Sequence, residues 1–276
     1  MKKSISLILS LVTCISLTYC GRQSENEKTK SISSDITTSE SNKTTTISKS
    51  EQASTTTAKT STTYEIFTTT TTTTTSINVC DEMTNILEKS NYTLNDIENS
   101  SQIIAVDSNG FNCTVYGFEK KDSCWETIFS TSGFVGGNGV SDSSHEGDYC
   151  TPMGLFPLGF AFGTESIDDL SIEYRKINEN CYWVDDPLSE YYNQWCETTN
   201  IQWNSAEHLI DYSGSYHYAV SINYNMNPVV PYAGSAIFLH CSSGSSTAGC
   251  VSVPESYMLE ILHWLREDSS PMILIM

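Results

Sequence analysis

Two residues ten positions apart, His240 and Cys250, have the types that nucleophilic catalysis requires. A cysteine attacks as its thiolate, so it needs a neighbouring base and access to a substrate. An imidazole supplies that base near neutral pH. Cys250 lies in Thr247-Ala248-Gly249-Cys250-Val251, where small neighbours would let a substrate carbonyl come close. The backbone amides of Gly249 and Cys250 would then face the oxyanion that forms on attack. In a cysteine-rich chain there is a competing, structural assignment. In that case Cys250 is half of a disulfide and His240 is a satisfied histidine at a strand end.

The elements that must position this pair are mostly short strands. Ser235–Leu239 is an apolar run that ends at His240. Strands are also expected at Gln102–Asp107, Tyr174–Ile177, Tyr182–Val184, Tyr216–Tyr224 and Met272–Met276. Cys113–Phe118 and Ser123–Ser130 read as a hairpin, and Thr151–Gly163 as a tight loop feeding a buried strand. The glycine-rich stretch Gly133–Gly139 lacks the lysine and the strand-to-helix context of a phosphate loop, so it reads as backbone turns. Two helices are expected. Asp81–Lys89 has Met83, Ile86 and Leu87 on one face. Glu255–Leu265 follows Pro254 and carries Met258, Leu259, Ile261, Leu262 and Leu265. Strands and helices do not alternate, which predicts a mainly β domain: a sandwich or open barrel with one or two packed helices.

Composition sets the bounds. Met1–Gly21 reads as a secretory signal, with Lys2 and Lys3 before an apolar run too short to span a bilayer. Leu17-Thr18-Tyr19-Cys20 has the form of a lipoprotein box, which would place a lipid on Cys20; simple cleavage would release the chain instead. Residues 22–79 are rich in Ser and Thr and have almost nothing to bury, so they read as a disordered linker or stalk. The catalytic domain is expected at 80–276, with no membrane span in the mature chain. The net charge of −19 argues against a nucleic-acid partner. Of ten cysteines, Cys14 and Cys20 belong to the signal region and eight follow it, where disulfides are expected. Cys113 and Cys124 could pair across a hairpin turn, and Cys181 and Cys196 could close a loop. No cysteine and histidine spacing suits zinc, so neither metal nor cofactor is expected. Asp185 and Asp186 read as loop carboxylates rather than an acid/base pair.

Several motifs taken together carry a resemblance. Gly234–Leu239 with His240, then Thr247-Ala248-Gly249-Cys250-Val251, resembles the active-site segment of L,D-transpeptidases of the YkuD/ErfK type. Glu146-Gly147-Asp148, Thr151–Gly163, Trp183–Pro187 and Tyr191–Trp195 are similar to further segments of one branch of that family. The resemblance covers about 102–276. It implies a β-rich catalytic domain in which Cys250 is the nucleophile and His240 the base. The backbone carbonyl of Cys241 would orient the imidazole, and the amide of Gly249 would face the oxyanion. It also implies peptidoglycan stem peptides as substrate: a Cys250 thioester forms, D-alanine leaves, and an amine or water resolves the thioester. Thr247, Ala248 and Ser252 replace the Ser, His and Arg of the family's commonest motif, SHGCxR. With that arginine absent, Arg175 is the candidate for binding a substrate carboxylate, against a plain surface role beside an acidic neighbour. A silent, disulfide-stapled wall- or peptide-binding protein is the alternative from a different class. It would follow if Cys250 were oxidised, for example by Cys241.

Overall fold

The structure is a computed structural model and describes residues 78–276. The expected signal, lipid site and most of the linker lie outside the described residues. The linker's last two residues, Asn78–Val79, form a short strand beside Cys124-Trp125.

Among the described residues the principal sheet has ten strands: the short Asn78–Val79 and Tyr174–Lys176 at its margins, and β1 (Gln102–Asn109), β2 (Asn112–Lys121), β3 (Cys124–Phe134), β4 (Gly154–Gly163), β5 (Ala219–Ile222), β6 (Phe238–Cys241), β7 (Val251–Val253) and β8 (Met272–Ile275). The order of the numbered strands is β3-β7-β6-β5-β4-β8-β1-β2, and β2 pairs back onto β3, so the sheet curls into a barrel. The junction of β7 with β3 rests on one pair, Ser252 with Phe134. A mainly β fold with two packed helices is therefore what the sequence pattern indicates. The largely apolar strands β5, β6 and β7 are buried at every residue, Ser221, His240 and Ser252 included. Strands buried on both faces read this way, because neither face needs a polar alternation.

The helices follow their apolar faces. α1 (Asp81–Ser90) buries Met83 and Ile86 against Phe118 and Trp125. α2 (Glu255–Trp264) buries Met258, Ile261 and Leu262 in the cluster that holds Leu239, Val251 and Ile273. Arg266, just past α2, is tied to Glu119 at 2.7 Å, which gives one of the two arginines beyond the linker a structural task.

A second sheet of three short strands covers one end of β6. Cys181–Val184 is its centre, flanked antiparallel by Trp195–Glu197 and Ala206–His208. Trp183 sits with its ring 4.8 Å from Phe238, and Phe162 lies 5.0 Å from the same ring. These aromatics and Cys250 share one buried cluster.

The two expected disulfides do not form, and strand geometry explains why. Cys113 pairs with Gly133 near one end of the β2–β3 hairpin, while Cys124 pairs with Lys121 at the other. At about 3.3 Å per residue, the length of the hairpin separates them. Cys196 lies opposite Tyr182, whereas Cys181 lies opposite Glu197. Successive side chains alternate faces, so Cys181 and Cys196 point to opposite sides of their sheet. All eight cysteines of the described residues are free thiols.

Candidate active site

The loop that carries Cys250 is built from both sides. β6 and β7 are parallel neighbours, with Leu239 beside Val251 and His240 beside Ser252. The connection between them returns to β7 through Thr247–Cys250. The sulfur of Cys250 accepts the backbone N–H of Phe238 at 3.3 Å, and its thiol donates to the carbonyl of Ala236 at 3.3 Å. The sulfur is thus cradled by the strand that carries His240. Phe238 and His240 are two residues apart and share a face, one strand repeat of roughly 7 Å.

His240 is held in one orientation. Its Nδ1 meets the carbonyl oxygen of Cys241 at 2.8 Å. A carbonyl only accepts, so Nδ1 carries the proton and Nε2 is left as a base. Burial pushes the imidazole below its ordinary value, against the opposing effect of the Cys241 carbonyl. Burial, and then the nearby charge of Glu207, pushes the Cys250 thiol well above the usual range; the Phe238 amide pulls the other way. At rest the pair is therefore neutral thiol and neutral imidazole, which matches a thiol that donates to Ala236.

The loop is anchored by hydroxyls. The carbonyl of Cys250 accepts from Thr247 Oγ1 at 2.6 Å and Thr151 Oγ1 at 3.2 Å. Thr151 Oγ1 in turn accepts the amide of Gly136 at 2.8 Å. Gly136 also bridges Thr247, so the glycine-rich turn forms the floor of the Cys250 loop. A Cβ on Gly136 would lie 2.3 Å from the carbonyl of Tyr149, so only glycine fits. The amide of Gly249, expected at the oxyanion, donates to Thr247 Oγ1 at 3.2 Å.

A polar web fixes the cradle itself. Ala236 has φ +54, an uncommon conformation for a residue with a Cβ. Its amide donates to Asn193 Oδ1 at 3.1 Å, and the same oxygen accepts Trp183 Nε1 at 2.9 Å. Asn193 Nδ2 donates to the carbonyls of Tyr224 and Asn225 at 3.0 and 2.9 Å. Glu146 accepts from Tyr192 at 2.5 Å and from Ser235 at 2.6 Å. The motifs around Glu146, Trp183, Tyr192-Asn193 and Ser235-Ala236 thus converge on the turn that presents Ala236 and Phe238. A small cavity of about 40 Å³ beside Ala248 is lined by Glu146, Cys150, Tyr224, Ser235 and Ile237.

Other expected residues lie elsewhere. Arg175 pairs with Glu173 at 2.7 Å and stacks 3.6 Å over the ring of Phe160. The Glu173 contact uses Nε, and the stack on Phe160 fixes the plane of the guanidinium. The thiol of Cys241 donates to the carbonyl of Tyr218 at 3.5 Å and lies on the opposite face of β6 from His240. Cys241 therefore does not oxidise with Cys250 in this arrangement. Asp186 is structural: amides of Asn204 and Leu188 hold it below the usual carboxylate range.

Residue spacing does not reveal Ala236, Phe238, Asn193, Tyr216 or Glu207 as site residues. Tyr216 is buried edge-on to His240, with ring centroids 5.6 Å apart, and its hydroxyl donates to Glu207 at 2.6 Å. A buried tyrosine that must find a partner for its hydroxyl is the one available signal.

No curated protein matches the chain. Among solved structures, one of Bdellovibrio bacteriovorus Bd1075 is similar at 16% identity and a TM-score of 0.35. The likeness covers 64% of this chain and 48% of that one, so this chain spans about half of its length. The family model of the YkuD L,D-transpeptidase catalytic domain matches residues 101–274, more than half of the 276 residues. Cys250, His240 and the web that holds them lie within that span, and the chain belongs to the YkuD family of L,D-transpeptidase catalytic domains.

Proposed function

We propose that this protein is a cysteine-nucleophile L,D-transpeptidase acting on the tetrapeptide stems of peptidoglycan, outside the cell membrane. The observation that carries this reading is the cradle. A neutral Cys250 thiol is held against Phe238 and Ala236, on the strand that presents His240 with Nδ1 tied down. In the reaction, Sγ attacks the carbonyl carbon of the third stem residue and its proton passes to His240 Nε2. The tetrahedral oxyanion is met by the Cys250 amide, and by the Gly249 amide once it leaves the Thr247 hydroxyl. The C–N bond to D-alanine breaks, His240 returns the proton to the departing amine, and a thioester remains. The side-chain amine of another stem then displaces sulfur and forms a cross-link; water in its place gives a tripeptide.

A secretory leader at Met1–Gly21 and the Ser/Thr-rich stalk would deliver the domain to the wall; the competing processing, cleavage ahead of Cys20 with a lipid on it, would tether the domain instead. No helix among the described residues is long and apolar enough to cross a membrane. The test is incubation of the purified protein with disaccharide-tetrapeptide. Released D-alanine with dimer supports transfer, and D-alanine with tripeptide alone supports hydrolysis. No release by a protein whose Cys250 is a free thiol overturns the reading.

A further inference from the structure

Ser252 stands where the family's commonest motif has an arginine, and its hydroxyl has no task in the chemistry above. The residue is 1% exposed, and its Oγ is buried with no hydrogen-bond partner among the described residues. Leaving a buried hydroxyl unpaired is costly, so one that persists calls for a physical reason. Strand register fixes what surrounds it. Ser252 pairs in parallel with His240 of β6 on one side, and with Phe134 of β3 on the other. Paired residues of adjacent strands stand on one face, about 4.8 Å apart. Val251 and Val253 turn into the barrel core, so Ser252 faces the other way, as Cys250 does in its cluster with Phe238. Phe134 has no polar group to offer. The Cys250 sulfur is taken by Phe238 and Ala236. Among these neighbours, His240 alone is left for the hydroxyl to meet.

The peptide between Cys241 and Ser242 decides which edge of the imidazole faces β7. Its N–H, on Ser242, donates to the carbonyl of Val253 in β7 at 2.7 Å. That peptide is trans, so its carbonyl points the opposite way, and the Cys241 oxygen that holds Nδ1 lies on the side away from β7. The Cys241 amide points to that same side, onto the carbonyl of Ser215 at 3.1 Å. The other edge of the ring, which ends in Nε2, is thereby turned toward β7, where Cys250 and Ser252 stand. We propose that Ser252 is a positioning residue for the reaction: its hydroxyl accepts Nε2–H once His240 has taken the Cys250 proton, and steadies the imidazolium until the departing amine removes that proton. The proposal rests on the reading of Cys250 as nucleophile and His240 as base. At rest Nε2 carries no proton and the hydroxyl has nothing to accept. The bond forms only in the charged state, so it stabilises that state and not the ground state. Ser252 keeps its own proton throughout. Burial opposes a charge on His240, and the Cys241 carbonyl counters it. The titratable groups nearest the ring are Cys250 on the β7 side and Tyr216, whose hydroxyl is bonded to Glu207. On the β5 side the paired residue is Ala219, which has no polar side chain.

The test is an NMR pH titration of the His240 ring in the full chain, its signal assigned with His240→Asn. Ser252→Ala removes the acceptor and should lower the His240 pKa by about one unit, the size of a hydrogen bond to a charged group. The hydroxyl is unpaired in the resting fold, so the same change should leave the urea midpoint unchanged or raise it. With stem peptide, kcat should fall by up to about tenfold at an unchanged KM. Ser252→Thr keeps the hydroxyl and should titrate like the parent. A folded Ser252→Ala protein with the parent's titration overturns the proposal. A clear drop in its urea midpoint, or its failure to fold, overturns the proposal too, because the hydroxyl then has a structural partner. A Ser252→Thr protein that titrates like Ser252→Ala also overturns it; Ser252→Ala decides alone if the added methyl prevents Ser252→Thr from folding. The titration needs no stem peptide, so the two readings fail separately. A Ser252-dependent titration without turnover sinks the proposed function alone, and turnover with a Ser252-independent titration sinks this inference alone.

Discussion

At the scale of the residue, the site depends on protons placed at definite atoms. His240 is tied through Nδ1 to the Cys241 carbonyl, and burial holds its pKa below the ordinary imidazole value. The base must be neutral to act, so activity should persist into more acid solution than a free imidazole allows. The acid limb of the kcat/KM profile is expected below about pH 6.5. Replacing His240 by Asn should lower kcat by roughly 100-fold or more, while leaving the melting temperature close to the parent's. Thr247→Ala removes one of two hydroxyls from the Cys250 carbonyl and should destabilise the fold by about 1 kcal/mol in urea titration. Thr247→Ser keeps that donor and should be close to neutral. The Cys250, His240, Cys241 and Gly249 quartet is legible in the sequence because it lies within one short stretch. Types and spacing mark the Cys250–His240 pair but leave a structural disulfide as a competing assignment; the resemblance of the surrounding motifs decides between them and alone gives Cys241 its role. The Ala236 carbonyl and the Phe238 amide are not legible, because backbone groups leave no mark on residue type, and the threonine hydroxyls are not, because their partner is a backbone carbonyl.

At the scale of the element, the strand β6 and its approach matter more than any helix. The apolar run Ser235–Leu239 reads as a strand, but regular pairing covers Phe238–Cys241. Ala236 turns to positive φ before the strand starts, and this kink aims its carbonyl at Cys250. Asn193 stabilises the kink from a distant loop, at a cost to Ala236 of about 1 kcal/mol or more in strain. Asn193→Ala should therefore destabilise the protein by about 3 kcal/mol, because it orphans the Trp183 indole N–H and the Ala236 amide together. Its residual folded fraction should also turn over slowly, as the cradle relaxes. Gly136→Ala should prevent folding or destabilise by at least about 3 kcal/mol, since the new methyl meets the Tyr149 backbone. The disulfide expectations failed at this same scale. Loop-flanking cysteines look close in sequence, but strand alternation and hairpin length decide which sulfurs meet.

At the scale of the molecule, a curled sheet carries Cys250 and His240, and a small second sheet packs aromatics beside them. The mainly β class was readable from strand-like runs without alternating helices. The β2–β3 hairpin was readable too, but the closure of the sheet was not, because it depends on the β3–β7 pairing, which no local pattern encodes. Glu207 links the covering sheet to overall stability. Its carboxyl is raised from about 4.5 in the unfolded chain to about 7 in the fold, so between those values the native state holds more protons. Its contribution is fully present below about pH 4.5 and is lost as pH rises through about 7. The urea midpoint should accordingly gain a downward slope over that window, and Glu207→Gln should remove it. The central claim is that Cys250 forms a thioester with the stem. The most direct measurement is the intact mass of the protein after brief mixing with disaccharide-tetrapeptide, followed by mapping of the Cys250 peptide. The account predicts an adduct equal to the stem less D-alanine, located on Cys250 and absent from Cys250→Ala. An adduct that persists in Cys250→Ala, or D-alanine release without Cys250, would contradict it.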